Sequence, residues 1–201
     1  MSATGRKGGN YHGVRGGGGR DYFPTPAWPV HALLRRLQLP AGQWLEPCCG
    51  DGAIIRAVNE VRTDVVWDAA DIRDTCGYPG ADICDFLQLE PPAAPIYDVA
   101  CTNPPFSLAL PFVQQSLRFA RQVVMLLRIG FIETEERSEW LLANPFDLYA
   151  LSARPSFDGV GTDATVYGFF SWPGNGQLVL LPDRPPRRGR RRPVNAPAAP
   201  R

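Results

Sequence analysis

The sequence has no apolar segment long enough to cross a membrane. Its longest aliphatic run, residues 123–127, is only a few residues long, and no apolar region follows the first residues. A membrane-spanning helix needs about 20 apolar residues, and a secretory signal carries an apolar core near its start. These absences predict a soluble, cytoplasmic protein with no membrane partner.

Metal ligands and disulfide partners are also scarce. The chain has 5 cysteines and 2 histidines, and no two cysteines have the CxxC spacing. Structural zinc sites and disulfide frameworks both depend on such pairs at regular spacing. We therefore expect no metal site and no disulfide, and we expect the thiols to be buried and reduced.

The formal net charge is only +1, but the charge is unevenly distributed along the chain. Residues 1–20 carry four basic and no acidic side chains, and residues 183–201 carry seven arginines and one aspartate, so the two ends together carry +10. Residues 21–182 carry ten arginines and nineteen acidic side chains, which gives −9. This pattern predicts one acidic folded domain, residues 21–182, between two basic arms.

Both arms have too little apolar surface to offset the entropy of ordering them. Residues 1–20 are rich in glycine, and residues 183–201 are rich in proline and arginine. We expect both arms to be disordered. Basic side chains on mobile arms can gather around phosphates and release counterions, which favours DNA or RNA as a partner. The same composition also serves as a solubilising tail, and that alternative stays open.

Strands and helices alternate along most of the chain. Thr25 and Pro26 have the types expected at a helix N-cap and first helical position, and apolar residues then recur at helical spacing. Helices are predicted over about 26–38, 53–58, 111–120 and 138–143, and strands over about 43–47, 65–72, 96–102 and 122–127. This alternation predicts an α/β fold with a doubly wound, mostly parallel sheet.

The pattern changes after residue 146. Strands are predicted over 147–152, 165–172 and 177–181, with no helix between them. Closely spaced strands of this kind form antiparallel pairs. We therefore expect the sheet to finish with an antiparallel hairpin at its edge, and we expect no second domain.

Two features at the carboxyl ends of predicted strands indicate a nucleoside-containing cofactor. Ligands of open α/β sheets bind outside these ends. Residues 46–52 form a loop in which Gly50 and Gly52 permit positive φ and a close approach of a ligand to the backbone. Asp71 follows at the end of the next strand, where a carboxylate accepts hydrogen bonds from ribose hydroxyls.

A third loop at a strand end indicates the chemistry. Residues 98–102 lead into Asn103, Pro104, Pro105 and Phe106. The two prolines fix the backbone and remove two N–H donors, so the carbonyls there have no competing local partner. Rigid acceptors beside an aromatic ring suit a planar group that carries an NH₂.

The order and spacing of these motifs resemble those of the class I S-adenosylmethionine-dependent methyltransferases that modify exocyclic amino groups. Within that class they resemble the small phage-type DNA N6-adenine methyltransferases. The resemblance covers nearly all of residues 21–182. It rests on the segments 22–26, 46–52, 71–72, 85–87, 103–106, 154–157 and 167–172.

The resemblance implies S-adenosylmethionine as cofactor, adenine N6 in DNA as target, and the cytoplasm of a bacterial or phage-infected cell as location. The implied cofactor-binding residues are Phe23, Thr25, Pro26, Glu46, Pro47, Gly50, Gly52, Asp71, Ile72, Asp85 and Phe86. The implied catalytic residues are Asn103, Pro104, Pro105 and Phe106.

The mechanism that the resemblance implies is physically coherent. The Asn103 side-chain oxygen and the Pro104 carbonyl accept hydrogen bonds from the target NH₂, which draws the nitrogen lone pair out of conjugation. The nitrogen then attacks the sulfonium methyl in line, so catalysis is mostly positioning and electrostatics. Phe106 stacks on the target base, which must be flipped out of a duplex or be single-stranded.

Several of these residues have a purely structural alternative. Phe23, Phe86 and Phe106 are of the type that usually fills a core. Asp51 and Asp85 are of the type that caps helices and turns.

Alternatives to the function also stay open at this point. An RNA adenine methyltransferase and a protein glutamine methyltransferase share a similar tetrapeptide, and a catalytically inactive nucleic-acid-binding module would use the basic arms alone. The chain has no room for a separate target-recognition domain, so residues 130–137 and 156–163 are the candidates for contacting the substrate backbone.

Overall fold

The structure, a computed structural model, describes residues 24–157 and 165–183. In these residues eight strands form one sheet, in the order β3-β2-β1-β4-β5-β7-β6-β8. The strands are β1 (Gly42–Glu46), β2 (Val65–Asp71), β3 (Asp82–Ile83), β4 (Tyr97–Thr102), β5 (Ala120–Arg128), β6 (Asp147–Leu151), β7 (Tyr167–Trp172) and β8 (Leu178–Leu181).

The described part of the chain contains four α-helices, the first of which precedes β1. They are α1 (Ala27–Leu34), α2 (Ala53–Asn59), α3 (Ala109–Phe119) and α4 (Glu135–Ala143). Short 3-10 turns occur at Phe86–Gln88, Phe106–Leu108 and Ile129–Ile132. The alternation of strands and helices up to residue 143 confirms the predicted α/β fold.

Strand direction decides which loops share an edge of the sheet. The pairs β3/β2, β2/β1, β1/β4 and β4/β5 are parallel, whereas β7 is antiparallel to both β5 and β6. The predicted antiparallel hairpin is thus present as β6 and β7. The last strand, β8, lies outside it and pairs in parallel with β6. All strands except β7 therefore end at one edge, which we call the carboxyl edge.

The central strand β5 is buried on both faces, as its continuous apolar sequence predicts. Val124 and Leu126 face a cluster that includes residues of α1 and α2, and Val123 and Met125 face a cluster that includes residues of α3. All four side chains are fully buried. The sheet is thus a rigid support for the loops at its carboxyl edge.

The first helix corrects one prediction. α1 spans Ala27–Leu34 instead of 26–38, and its N-cap is Pro26, which offers no side-chain hydrogen bond. Thr25 is therefore not the cap. Its hydroxyl is used elsewhere, as the acceptor of a hydrogen bond from Asn103.

The predicted arms, residues 1–20 and 183–201, lie outside the described residues except for Asp183. The division into a domain and two arms therefore stays a prediction. Within the described ranges, no helix has the length and apolar character needed to cross a bilayer.

Candidate active site

A pocket of about 410 Å³ opens at the carboxyl edge between β1, β2 and β4. The chain continues from β1 to β2 on one side, and β4 then pairs with β1 on the other side. This is the point where the strand order reverses, which is where open α/β sheets bind ligands. The volume lies within the usual range of small-molecule sites, about 300–1,000 Å³.

The glycine loop between β1 and α2 forms one wall of the pocket. Gly50 and Gly52 have φ values of +58° and +76°, which L side chains rarely adopt. A Cβ atom at Gly52 would also collide with the ring of Tyr78. Asp51 accepts a hydrogen bond from the Ala53 N–H at 3.1 Å, which closes a turn just before α2, whose N-cap is Gly52. Both glycines are thus required by the loop conformation.

Glu46, the last residue of β1, lines the pocket and is only 2% exposed. Burial raises the pKa of its carboxyl group well above its usual value, and a hydrogen bond from the backbone of Ile55 offsets this only in part. Its Oε2 atom has no hydrogen-bond partner among the described residues. The pocket therefore contains a buried acceptor that a donor group of a ligand can satisfy.

Asp71, the last residue of β2, is 3% exposed and lines the same pocket. It accepts hydrogen bonds from the Gly50 N–H and from the backbone and guanidinium of Arg73. Burial raises the pKa of Asp71, but the bonds from Arg73 and Gly50 outweigh that effect, so its pKa is lowered. Asp71 is therefore an ionised carboxylate that ties the glycine loop to β2.

Apolar side chains cover another part of the pocket. Ile72 is 67% exposed and lines it directly. Phe86 also lines it, but this ring packs mainly on Phe112 and Phe119, with centroid distances of 5.9 and 5.1 Å. Asp85 accepts from the Leu87 N–H at 3.0 Å and caps the following 3-10 turn. Phe86 thus packs in the core and Asp85 caps a turn, as their structural alternatives predict, and both residues also line the pocket.

Asn103 follows β4 at the opposite wall of the pocket and is half-buried. Its Nδ2 donates a hydrogen bond to the Thr25 hydroxyl oxygen at 3.1 Å. Because this bond uses the amide nitrogen, it sets the rotation of the amide group and thereby the direction of the acceptor oxygen Oδ1. Thr25 is therefore a positioning residue for Asn103, a contact between residues far apart in the sequence that no local motif could reveal.

Phe106 lies beside this pocket but does not line it. Its ring packs on Tyr167 with a centroid distance of 5.7 Å, and the guanidinium carbon of Arg128 lies 4.6 Å from its centroid. Arg128 Nε also donates to the Tyr167 hydroxyl at 3.3 Å. Arg128 ends β5, so the planar guanidinium lies over the Phe106 ring at the carboxyl edge.

The thiols near the pocket are not poised for reaction. All five cysteines are free. Cys48 Sγ lies 2.8 Å from the Thr102 hydroxyl oxygen, and burial raises the pKa of Cys48 above its usual value. Burial also raises the pKa of Cys49 to about 12. Because the thiolate is the nucleophilic form, these residues act through packing.

The structure brings most of the predicted site residues together around one pocket. Those that line it are Thr25, Glu46, Pro47, Gly50, Asp71, Ile72, Asp85, Phe86, Asn103 and Pro105. Pro26, Gly52, Pro104 and Phe106 lie next to lining residues without lining the pocket themselves, and Phe23 lies outside the described residues. The sequence does not single out Arg73 or Arg128, because arginines next to strand ends carry no distinctive local signal.

The structure describes one of the two segments predicted to contact the substrate backbone and only the start of the other. Residues 130–137 follow β5 and therefore start at the carboxyl edge. Of residues 156–163, only 156 and 157 are described. Among residues 24–157 and 165–183, no group of three or more histidine, cysteine or acidic side chains could hold a metal ion.

By sequence, the chain matches no protein-family model and no curated protein. Its fold does match solved structures. One is a protein of Listeria monocytogenes assigned to the class I S-adenosylmethionine-dependent methyltransferases, with a TM-score of 0.54 and 14% identity over 75% of this chain and 61% of that one.

Two further matches are named as methyltransferases. The methyltransferase subunit of a type I restriction-modification system from Streptococcus thermophilus matches with a TM-score of 0.53 and 14% identity, over 74% of this chain and 43% of that one. The 23S rRNA methyltransferase ErmE matches with a TM-score of 0.51 and 13% identity, over 78% of this chain and 71% of that one. The chain spans 61% of the Listeria protein and 43% of the Streptococcus protein, and the likeness shows that it has the Rossmann-like methyltransferase fold.

Proposed function

We propose that this protein transfers the methyl group of S-adenosylmethionine to the N6 amino group of adenine in DNA. The observation that carries the proposal is the position of Asn103. Its amide is held by Thr25 at the wall of the pocket that the glycine loop and Asp71 also line. The fold and the order of the motifs support the same assignment.

The residues of the pocket fit S-adenosylmethionine, whose sulfonium supplies an already activated methyl group. The buried Oε2 of Glu46 lacks a donor among the described residues, and the cofactor offers an ammonium group. Gly50 lets a ligand approach the backbone, and the exposed Ile72 side chain offers an apolar surface to a planar base. Asp71 stands at the end of β2, where a carboxylate can accept from ribose hydroxyls.

Asn103 and the prolines act on the target amino group. The rotation of the Asn103 amide is set before the substrate arrives, so its oxygen needs no reorganisation to accept a hydrogen bond from the NH₂. Pro104 is buried and Pro105 half-buried, and their rings fix the backbone that carries the second acceptor. Preorganised acceptors of this kind stabilise the charge that develops on the attacking nitrogen.

Phe106 and Arg128 mark the proposed place of the target base. The guanidinium carbon of Arg128 lies 4.6 Å from the centroid of the Phe106 ring, which supports this ring as a surface for a planar group with N–H donors. A cation over an aromatic ring gains about 0.5–2 kcal/mol, and a stacked base gains about 1–3 kcal/mol. The two gains are similar, so a base in place of the guanidinium would regain the contact with the ring, and the remaining cost would include the Arg128 Nε–Tyr167 hydrogen bond.

The direct test is incubation with labelled S-adenosylmethionine and unmethylated single-stranded DNA, duplex DNA or RNA of the same sequence. Nucleoside mass spectrometry after digestion identifies the product. We expect N6-methyladenine from DNA, with single strands modified faster because no base must be flipped. N6-methyladenosine from RNA alone would overturn the choice of DNA, and N4-methylcytosine would overturn the choice of base. Calorimetry that shows no S-adenosylmethionine binding would overturn the proposal as a whole.

The basic ends join the folded body at the edge that holds the pocket. Pro24 and Thr25, the first described residues, line the pocket. At the other end, β8 finishes at the carboxyl edge, where its Leu181 carbonyl accepts from the Ser152 N–H. The arginine-rich residues 184–201 follow shortly after. We propose that residues 1–20 and 184–201 contact the phosphates of the substrate, since the domain between them is acidic.

Deletion of residues 184–201 should weaken DNA binding and reduce its salt dependence. The slope of log K against log salt should become shallower by about 0.9 for each phosphate of duplex DNA that the shortened chain no longer neutralises. Fluorescence anisotropy over a series of salt concentrations measures both quantities. A matched control replaces the seven arginines of this segment by lysine, which keeps the charge and should keep the slope. An unchanged slope in the deletion variant would show that the segment serves solubility alone.

A further inference from the structure

The carboxylate of Asp71 is fully engaged by groups of the protein itself. Its Oδ2 accepts from the Gly50 N–H at 2.8 Å and from Arg73 Nη2 at 3.2 Å. Its Oδ1 accepts from the Arg73 backbone N–H at 2.9 Å and from Arg73 Nε at 3.0 Å. A carboxylate has about four lone-pair sites, so these four bonds leave none for a further donor.

The four bonds differ in how easily they can be given up. Two come from backbone N–H groups that the fold holds in place, one in the glycine loop and one directly after β2. The other two come from the Arg73 guanidinium, whose side chain is 26% exposed and lines the pocket. Only the guanidinium can leave without unfolding the loop.

The guanidinium presents to Asp71 the same pattern that a ribose presents. Nε and Nη2 are two neighbouring donors that meet the two oxygens of one carboxylate. A ribose 2′,3′-diol likewise carries two neighbouring O–H donors. We infer that the Arg73 guanidinium occupies the position of the cofactor's ribose hydroxyls and leaves Asp71 when the cofactor binds. This inference rests on the proposed function.

The exchange has a physical reason and a consequence. A buried carboxylate with only part of its hydrogen bonds is costly, so the Arg73 guanidinium helps to keep Asp71 charged while no ribose is bound. The cofactor must displace this half-buried ion pair, and part of its binding free energy is used for the displacement. Removing the guanidinium should therefore tighten the binding of any ligand that brings the ribose diol.

The test uses adenosine and 2′,3′-dideoxyadenosine as probes, with the full chain as wild type and as Arg73→Met. Methionine keeps the apolar stem of the side chain and removes the donors. We expect Arg73→Met to bind adenosine about 3- to 30-fold more tightly than wild type, the range expected for breaking a partly exposed ion pair. The affinity for 2′,3′-dideoxyadenosine should be the same in Arg73→Met as in the wild type. The control, Arg121→Met, removes the exposed Arg121–Asp98 pair at the opposite edge and should change neither affinity.

A second measurement does not depend on the variant. In the NMR spectrum of the wild-type protein, the Arg73 Nε–H should be protected from exchange and should lose that protection when adenosine saturates the pocket. A protected Nε–H in the saturated protein, or weaker adenosine binding by Arg73→Met, would overturn the inference, since Arg73 would then remain on Asp71 or contact the ligand. If the wild type transfers methyl groups but Arg73→Met binds adenosine no more tightly than the wild type does, this inference alone is overturned. Failure of both proteins to bind S-adenosylmethionine or adenosine would overturn the proposed function with it.

Discussion

Replacing Asn103 by alanine should strongly slow methyl transfer and leave cofactor binding nearly unchanged. The amide oxygen that Thr25 orients is the proposed acceptor for the target NH₂. The proposed contacts of the cofactor are with the glycine loop and Asp71, which line another part of the pocket. Removing one preorganised group that stabilises developing charge typically lowers kcat by about 100- to 1,000-fold. Single-turnover methylation with labelled cofactor measures the loss, and calorimetry with S-adenosylhomocysteine measures binding.

The matched control for this experiment is Thr25→Val. It keeps the Asn103 oxygen but removes the hydrogen bond that fixes its direction. The loss of one such bond predicts a smaller decrease in transfer, about 3- to 10-fold. If Asn103→Ala weakened cofactor binding as much as transfer, Asn103 would be a structural residue of the pocket wall.

Replacing Glu46 by glutamine should remove a decrease in the free energy of unfolding that the wild type shows as pH rises. The folded state holds a proton on the buried carboxyl group, because burial raises the pKa of Glu46, whereas the unfolded chain releases it above the usual pKa of 4.5. The unfolded state then binds fewer protons, so the free energy of unfolding of the wild type falls as pH rises. Relative to Glu46→Gln, the fall is about 1.4 kcal/mol per pH unit between the two pKa values.

Urea denaturation at several pH values between about 5 and about 8 measures this difference. The stability that the protonated carboxyl group contributes is fully present below the unfolded pKa and disappears above the raised folded pKa. Glu90→Gln, which removes an exposed carboxylate outside the pocket, is the control. Parallel stability profiles for wild type and Glu46→Gln would show that Glu46 is ionised in the folded protein.

The parts of the fold that follow from local pattern can be predicted from the sequence. β5 is a continuous apolar run because both of its faces are covered by helices, and α2 follows a loop whose two glycines supply the positive φ values. The two-residue strand β3 carries too short a pattern to be recognised. The parallel pairing of β8 with β6 depends on contacts between distant parts of the chain, which periodicity does not record.

Some features of the candidate site can also be predicted from the sequence, whereas others depend on tertiary contacts. Glu46, Asp71 and Asn103 are predictable because parallel strands place their carboxyl ends at one edge, so residues far apart in sequence meet there. The predicted helix start lies one residue early because Thr-Pro is a common N-cap pair, and only the tertiary bond to Asn103 shows that Thr25 has another partner. The stacking of Arg128 on Phe106 likewise depends on the pairing of strands.

The meeting of both ends of the described body at the carboxyl edge has a consequence for how the protein handles a long substrate. On the proposed function, a nucleic-acid strand held by residues 1–20 or 184–201 would stay beside the pocket after its target base has left, which would raise the effective concentration of neighbouring bases there. Successive adenines on one molecule would then be modified before that molecule dissociates. Residues 21–182 carry a net charge of −9 and would repel the same strand. The residence time would then depend on the arms, whereas the geometry of the proposed transfer would depend on the sheet.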